Sequence, residues 1–144
     1  MRIKNLSLLA FLFICLSQIS CKKDSSGSTS ASILGKWTLL NTKAKISAAF
    51  LPTPQEQTEP GNGETYEAKS DGTIIFCEST NVCTTEYYKI TGNTLTTSSS
   101  STFTNPETFD IKTLTSNSLI LYQKSTEIIQ GENVTTEVWI TFSK

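Results

Sequence analysis

After residue 33, apolar and polar residues alternate in short runs that are separated by turn-forming residues. The clearest run covers residues 134–142, where Val134, Val138 and Phe142 fall on one face and Trp139 falls on the other. This period of two is typical of a half-buried antiparallel strand. Further runs rich in Thr and apolar residues predict strands at 33–41, 45–50, 65–69, 73–78, 83–90, 94–98, 107–114 and 118–129. Because no run of useful length has the helical period, the sequence predicts an all-β domain.

Turn-forming residues set the connections between these strands. Four short segments between β-prone runs have a hairpin pattern: Asp71-Gly72, Gly92-Asn93, Ser116-Asn117 and residues 131–133. Eight or nine short strands joined by tight turns predict an antiparallel up-and-down barrel of about eight strands, which leaves no exposed sheet edge. Residues 50–64 are rich in Pro and Gly and are predicted to be one long loop. This loop is either a lid over the barrel or a disordered segment, and we expect the fold to tolerate removal of residues 53–63.

A barrel of this size is either filled by side chains or encloses one small ligand. Strand alternation assigns the following residues to the interior: Trp37, Leu39, Ile74, Phe76, Tyr88, Ile90, Leu95, Phe109, Ile111, Leu119, Leu121, Val138, Ile140 and Phe142. Most of them are expected to be core. The candidate contacts for a ligand are Trp37, Phe76, Tyr88, Phe109 and Leu121, so we expect a site with few charges that suits an apolar or amphipathic molecule.

The first 20 residues have a different pattern. Arg2 and Lys4 make a short basic head, residues 6–14 are nearly all apolar, and Ser20 is a small final residue. This is typical of a secretory signal peptide, and its apolar part is too short to cross the roughly 30 Å of a membrane as a stable helix. Residues 22–32 hold no large apolar side chain and are typical of a flexible Ser/Gly tether. We therefore expect a signal peptide at 1–20, a tether at 21–32 and a folded domain at 33–144.

The end of the signal carries a more specific motif. Ile19-Ser20-Cys21 resembles the lipobox of bacterial lipoproteins, in which the cysteine is lipidated and becomes the first residue of the mature protein. The family usually has Leu where Gln18 stands. The resemblance implies a cell-envelope protein held on a membrane by lipid on Cys21, and Lys22 at the next place implies the outer membrane without indicating which face. The alternative is an ordinary signal peptide with Cys21 as a free or disulfide-bonded thiol.

Composition argues against several classes of function. The chain has 12 basic and 13 acidic residues and no His, so it lacks the concentrated basic face that nucleic-acid binding needs. Without His, the Ser-His and Cys-His pairs of nucleophilic enzymes are impossible within the chain. The remaining carboxylate groupings are Glu78 with Glu86, and Glu127 with Glu132 and Glu137. Neither has the pattern of a buried catalytic pair or a calcium loop, so we expect no enzyme activity, no cofactor and no metal.

Two cysteines remain for the folded domain once Cys15 is removed with the signal and Cys21 carries lipid. Cys77 and Cys83 enclose residues 78–82, a spacing that suits a hairpin with the two side chains face to face. A secreted protein reaches an oxidising compartment, where a disulfide is favoured. A metal site, the alternative, lacks further ligands because the chain has no His. We predict a structural disulfide between Cys77 and Cys83.

The folded domain carries a second resemblance. Leu34-Gly35-Lys36-Trp37 resembles the Gly-x-Trp signature that opens lipocalin barrels, and residues 71–73, 88–95 and 118–121 are similar to the lipocalin-like domains of bacterial lipoproteins. The resemblance spans residues 33–143 and implies an up-and-down barrel. Lipocalins usually stack an Arg over this Trp. Because Arg2 is the only Arg in the chain, Lys144 is the candidate substitute.

Two functions remain open on the sequence. One is a lipid-anchored carrier or sensor that holds a small apolar ligand inside the barrel, for which we expect a cavity above ~300 Å³. The other is a membrane-tethered interaction module with a solid core, which contacts a protein or glycan through an apolar patch on its loops.

Overall fold

The structure is a computed structural model that describes residues 32–79 and 81–144. The predictions for the signal peptide, for Cys21 and for nearly all of the tether lie outside these residues. The described part contains nine β-strands and no helix. The strands are β1 (Gly35–Ala48), β2 (Gln55–Pro60), β3 (Thr65–Ala68), β4 (Thr73–Ser79), β5 (Val82–Thr91), β6 (Thr94–Ser98), β7 (Glu107–Leu114), β8 (Ser118–Ile129) and β9 (Glu132–Ser143).

Eight of these strands form a closed antiparallel barrel. Consecutive strands from β3 to β9 pair with one another, β3 pairs with the start of β1, and β9 pairs with the other edge of β1 from Thr38 to Ala48. The circuit β1-β3-β4-β5-β6-β7-β8-β9 therefore returns to β1. This confirms the predicted all-β, antiparallel up-and-down barrel of about eight strands and is consistent with a lipocalin-like fold.

The tight turns follow from their residues. Ile129 pairs with Glu132 across the two-residue turn Gln130-Gly131, in which both residues have positive φ, as a type I′ hairpin requires. At the β3–β4 turn, the Asp71 carboxylate accepts hydrogen bonds from the backbone N–H and the hydroxyl of Thr73, at 3.0 and 2.6 Å. These local bonds hold the turn that the Asp-Gly pair predicted.

The prediction that residues 50–64 form one long loop was wrong. β2 lies within this segment and pairs in antiparallel register with residues 41–46 of β1. β1 itself is one continuous strand, which joins the predicted strand at 33–41 to the run predicted at 45–50. Sequence patterning did not predict β2, because all of its residues are exposed and apolar and polar residues therefore do not alternate along it. Pro60 is tolerated at the end of β2 because that strand lies at a sheet edge.

This correction changes what removal of residues 53–63 would do. The segment runs back along β1, from the turn after Ala48 to Glu64, whose carbonyl accepts a hydrogen bond from Leu39 at 2.9 Å. Ala48 is nine residues further along β1 than Leu39, which is roughly 30 Å at 3.3 Å per residue. Residues 49–52 alone are too few to cover that distance. The deletion must therefore unpair the end of β1, and we no longer expect the fold to tolerate it.

Part of the sheet extends beyond the barrel. We call this part the extension sheet and define it as residues 41–48 of β1, all of β2, residues 132–139 of β9 and residues 123–129 of β8. Its strand order is β2-β1-β9-β8. The last pair between β7 and β8 is Asp110 with Tyr122, so β7 does not pair with the rest of β8.

The hydrophobic core lies inside the barrel. Its buried members are Ile33, Trp37, Ala68, Ile74, Leu95, Leu119, Leu121 and Phe142, and Leu39, Tyr88, Phe109, Ile111 and Ile140 pack against them. Strand alternation therefore predicted most of the core correctly. Two predicted interior residues differ: Ile90 is 40% exposed near the end of β5, and Val138 is half-buried in the extension sheet.

Candidate ligand site in the barrel

Trp37 seals the end of the barrel at which β1 begins. It is 1% exposed, and its indole N–H donates a hydrogen bond of 2.6 Å to the carbonyl of Ile33. The Nζ of Lys144 lies 4.3 Å from the centre of the Trp37 ring and donates a 2.7 Å hydrogen bond to the Leu34 carbonyl. Lys144 thus takes the predicted place over the Trp as a cation–π partner. Gly35 has a φ of 102°, a conformation that glycine adopts without strain.

A disulfide joins β4 to β5 toward the other end of the barrel. Cys77 and Cys83 face each other across the hairpin with their Cα atoms 4.1 Å apart, and their sulfurs are bonded. This confirms the predicted pairing. The bond fixes the hairpin whose strands carry Phe76 and Glu86, two residues of the cavity described next.

Between these two ends the barrel encloses a cavity of about 120 Å³. Its lining is mostly apolar and consists of Ile33, Trp37, Tyr66, Ala68, Ile74, Phe76, Glu86, Leu95, Thr97, Glu107, Phe109, Leu119, Leu121, Ile140 and Phe142. The volume is below the ~300 Å³ expected of a site for a drug-sized molecule. It is close to the roughly 150 Å³ of an engineered protein cavity that binds benzene. The interior of the barrel is thus not fully packed, and its cavity has room for a ligand of about benzene's size.

Four of the five predicted ligand contacts line this cavity. These are Trp37, Phe76, Phe109 and Leu121. The fifth, Tyr88, is not part of the lining. Its ring packs against the core, and its hydroxyl donates a 2.8 Å hydrogen bond to the Lys69 carbonyl in the β3–β4 turn. This hydrogen bond ties β5 to that turn, and a ligand contact of Tyr88 stays a prediction.

Aromatic rings make up much of the cavity wall. The ring of Tyr66 lies 4.6 Å from that of Phe76 and 5.0 Å from that of Phe142, measured between centroids. The second contact is edge-to-face at 73°. Such offset and edge contacts are the favoured geometries for aromatic pairs, so the three rings hold one another in place.

Two carboxylates also line the cavity, and the sequence analysis did not place them there. Glu86 was considered only as a pair with Glu78 that lacks the pattern of a catalytic site, and Glu107 was not singled out. The sequence does contain a signal for both residues. Strand alternation places Glu86 on the same face as Tyr88, and Glu107 on the same face as Phe109, which are predicted to point into the barrel. The expectation of a site with few charges therefore missed an acidic side of the cavity.

The electrostatic effect of these carboxylates is visible at Tyr66. Burial of the phenol, followed by the negative charges of Glu86, Glu107 and Glu64, raises the pKa of Tyr66 to about 12. The hydroxyl therefore stays neutral and remains a hydrogen-bond donor throughout the physiological pH range.

The two faces of the extension sheet carry different kinds of side chain. On one face, Lys43 forms an ion pair of 2.8 Å with Glu56 and lies 5.8 Å from the ring centre of Trp139. Next along this face, Tyr122 packs 5.2 Å from Trp139 and its hydroxyl donates a 2.7 Å hydrogen bond to Glu137.

Apolar side chains lie exposed toward the far end of the extension sheet. Phe50 in the β1–β2 turn is 61% exposed, and Ile128 near the β8–β9 turn is 76% exposed. Ile46 and Ile129 are exposed as well. The register places Ile46 and Ile129 on the face opposite to Lys43, where Val134 lies between their strands.

Residues 32–79 and 81–144 include no group of three or more His, Cys, Asp or Glu side chains that is placed to hold a metal ion. The same residues include no helix that is long and apolar enough to cross a membrane. No protein-family model, curated protein or solved structure matches the chain.

Proposed function

We propose that this protein is a bacterial lipoprotein with a lipocalin-like domain, whose barrel binds a small, largely apolar ligand and has no catalytic activity. Lipid on Cys21 anchors it to the cell envelope, at the outer membrane. The observation that carries the binding function is the cavity of about 120 Å³, in which predicted contacts from β1, β4, β7 and β8 meet.

The wall chemistry supports a binding role. Most of the lining residues are apolar, and five of them are aromatic: Trp37, Tyr66, Phe76, Phe109 and Phe142. A concave apolar wall with a few polar groups is the usual composition of a small-molecule site. The phenol of Tyr66, the hydroxyl of Thr97 and the two carboxylates supply those polar groups here.

Support for the anchor comes from the sequence alone. Cys21 follows Ile19-Ser20 at the end of an apolar signal and precedes a Ser/Gly tether. Replacing Cys21 with Ser should release the protein from the membrane fraction of its own cells. Retention of the Cys21→Ser variant at the wild-type level would show that lipid on this residue is not the anchor.

The binding function is tested with toluene, a neutral aromatic probe of suitable size, and the full-length protein. Calorimetry should show saturable binding. Ala68 lines the cavity, so Ala68→Leu should fill it and abolish binding. Ala44 lies in the extension sheet outside the cavity, and Ala44→Leu is the matched control that should bind normally. Equal binding by both variants would contradict the site, and an unfolding transition confirms that each variant is folded.

The second candidate function is a membrane-tethered interaction module, and one observation favours it. Phe50, Ile46, Ile128 and Ile129 expose large apolar surface at the far end of the extension sheet. Exposed apolar groups of this kind often mark protein contact sites. If the wild-type barrel binds no apolar probe at all, the interaction module becomes the better proposal.

A further inference from the structure

The wall of the cavity carries negative charge and no positive charge. Glu86 and Glu107 are its ionisable acids, and none of its residues is a Lys. Among the described residues, every basic side chain is a lysine. The ion pairs formed there involve Lys43, Lys45 and Lys112, and none includes Glu86 or Glu107.

Neither of these carboxylates is paired with another described side chain. No ion pair or hydrogen bond joins Glu86 or Glu107 to one. Water reaches both, since Glu107 is exposed and Glu86 is half-buried. A carboxylate beside an apolar wall loses part of its hydration, and an opposite charge offsets that loss. A ligand with a positive charge would therefore interact favourably with both.

The strand register places both carboxylates on the same side of the cavity. Glu86 lies on β5 and Glu107 on β7, two strand spacings apart across β6, and Glu86 is also offset by two residues along its strand because Tyr88 is level with Glu107. Their backbones are therefore roughly 12 Å apart. Glu107 pairs with Thr97, whose side chain lines the cavity between them. Because Glu107 is both exposed and part of the lining, the cavity opens to solvent here, away from the end sealed by Trp37.

Aromatic rings close to these acids favour the same class of ligand. Tyr66, Phe76 and Phe109 line the cavity together with the two carboxylates. The face of an aromatic ring attracts a cation through its quadrupole, and this attraction strengthens when the cation loses water. Acidic side chains combined with aromatic walls therefore select for a positive charge on an apolar body.

We propose that the barrel binds a small organic monocation, with an apolar body of about benzene's size in the cavity and an ammonium group between Glu86 and Glu107. This rests on the proposed function, because it assigns a ligand class to the same cavity. The raised pKa of Tyr66, caused first by burial and then by these carboxylates among others, is a further sign that their charge reaches the cavity wall.

The first test compares ligands on the unaltered, full-length protein. Benzylamine, benzyl alcohol and benzoate share one ring and carry positive, zero and negative charge at neutral pH. We expect benzylamine to bind about tenfold or more tightly than benzyl alcohol, and benzoate to bind most weakly. Added salt should weaken the binding of benzylamine and leave that of benzyl alcohol nearly unchanged.

The second test removes the charges without changing side-chain size. The double variant Glu86→Gln/Glu107→Gln should bind benzylamine only as tightly as it binds benzyl alcohol. Glu67→Gln is the matched control, because Glu67 is exposed on β3 and is not part of the cavity lining. It should keep the full preference for benzylamine.

The outcomes separate this inference from the function on which it rests. Equal binding of benzylamine and benzyl alcohol to the wild type would overturn the cation and leave the barrel a binding protein. So would a preference for benzylamine that survives in the double variant. Failure of all three ligands and of toluene to bind would overturn the binding function itself, and the cation with it.

Discussion

The barrel and the extension sheet are built largely from the same three strands, β1, β8 and β9, yet they differ in what they bury. Trp37 near the start of β1 is 1% exposed, whereas Trp139 on β9 is only half-buried. Leu119 and Leu121 at the start of β8 are buried, whereas Ile128 and Ile129 at its end are exposed.

The difference arises from closure and not from the strands themselves. Where β3 to β7 complete the circuit, one face of each strand is enclosed and forms the core. In the extension sheet β2 takes the place of β3, and β7 no longer pairs with β8, so the sheet is open. Val134 is the only one of its described residues that is buried. The extension sheet relies on its hydrogen-bonded ladder and on surface pairs such as Lys43 with Glu56, which usually contribute little.

The largest difference in stability between the two regions is expected at their Trp residues, Trp37 and Trp139. Trp37→Ala should lower the free energy of unfolding by about 3–5 kcal/mol, because it empties a fully buried site and loses the hydrogen bond to Ile33. Trp139→Ala should cost much less, since that ring is half-exposed. Denaturant unfolding of both variants measures the difference, and equal losses would contradict the division into two regions.

Gly61 lies where β1 changes its partner from β3 to β2, so it tests the junction of the two regions. A Cβ at Gly61 would lie 2.1 Å from the carbonyl oxygen of Leu39, a backbone atom that must then move. Gly61→Ala should cost up to about 3 kcal/mol, as overpacking does. At Gly63 a Cβ meets no atom within 4 Å and only its positive φ opposes substitution, so Gly63→Ala should cost less. If denaturant unfolding shows that Gly63→Ala loses more stability than Gly61→Ala, the close approach of Gly61 to Leu39 is contradicted.

The raised pKa of Tyr66 makes the stability of the barrel depend on pH. The folded barrel holds the phenol proton more tightly than the unfolded chain, so this stability is complete below pH 10 and is lost as the pH rises toward about 12. The loss should be at most about 2 kcal/mol. Tyr66→Phe should remove that part of the alkaline slope in unfolding experiments, and an unchanged slope would show that the phenol is not shielded.

The smallest expected effect lies in the extension sheet. Lys43 lowers the pKa of Glu56 through a side-chain hydrogen bond and through its charge. Lys43→Ala should return that pKa toward its ordinary value, as carboxyl NMR would show, and should hardly change the unfolding midpoint. A large loss of stability would mean that the open sheet depends on this ion pair.

The sequence was most informative where one face of a strand is enclosed. Alternation predicted the strands from β3 to β9 and four of the five cavity contacts, because enclosure forces apolar residues to one parity. It missed β2, since Gln55–Pro60 is exposed throughout. It also missed Glu86 and Glu107, because charged residues in a strand normally indicate the solvent face, and only their parity with Tyr88 and Phe109 points inward.

The most direct test of ligand binding in the barrel is a methyl NMR titration of the full-length protein with toluene. The methyl groups of Ile74, Leu95 and Leu121 line the cavity, whereas those of Ile46, Ile128 and Ile129 lie in the extension sheet. We predict saturable shifts of the cavity methyls and unchanged signals from the extension sheet. Shifts confined to Ile46, Ile128 and Ile129, or no shifts at all, would contradict a ligand site inside the barrel.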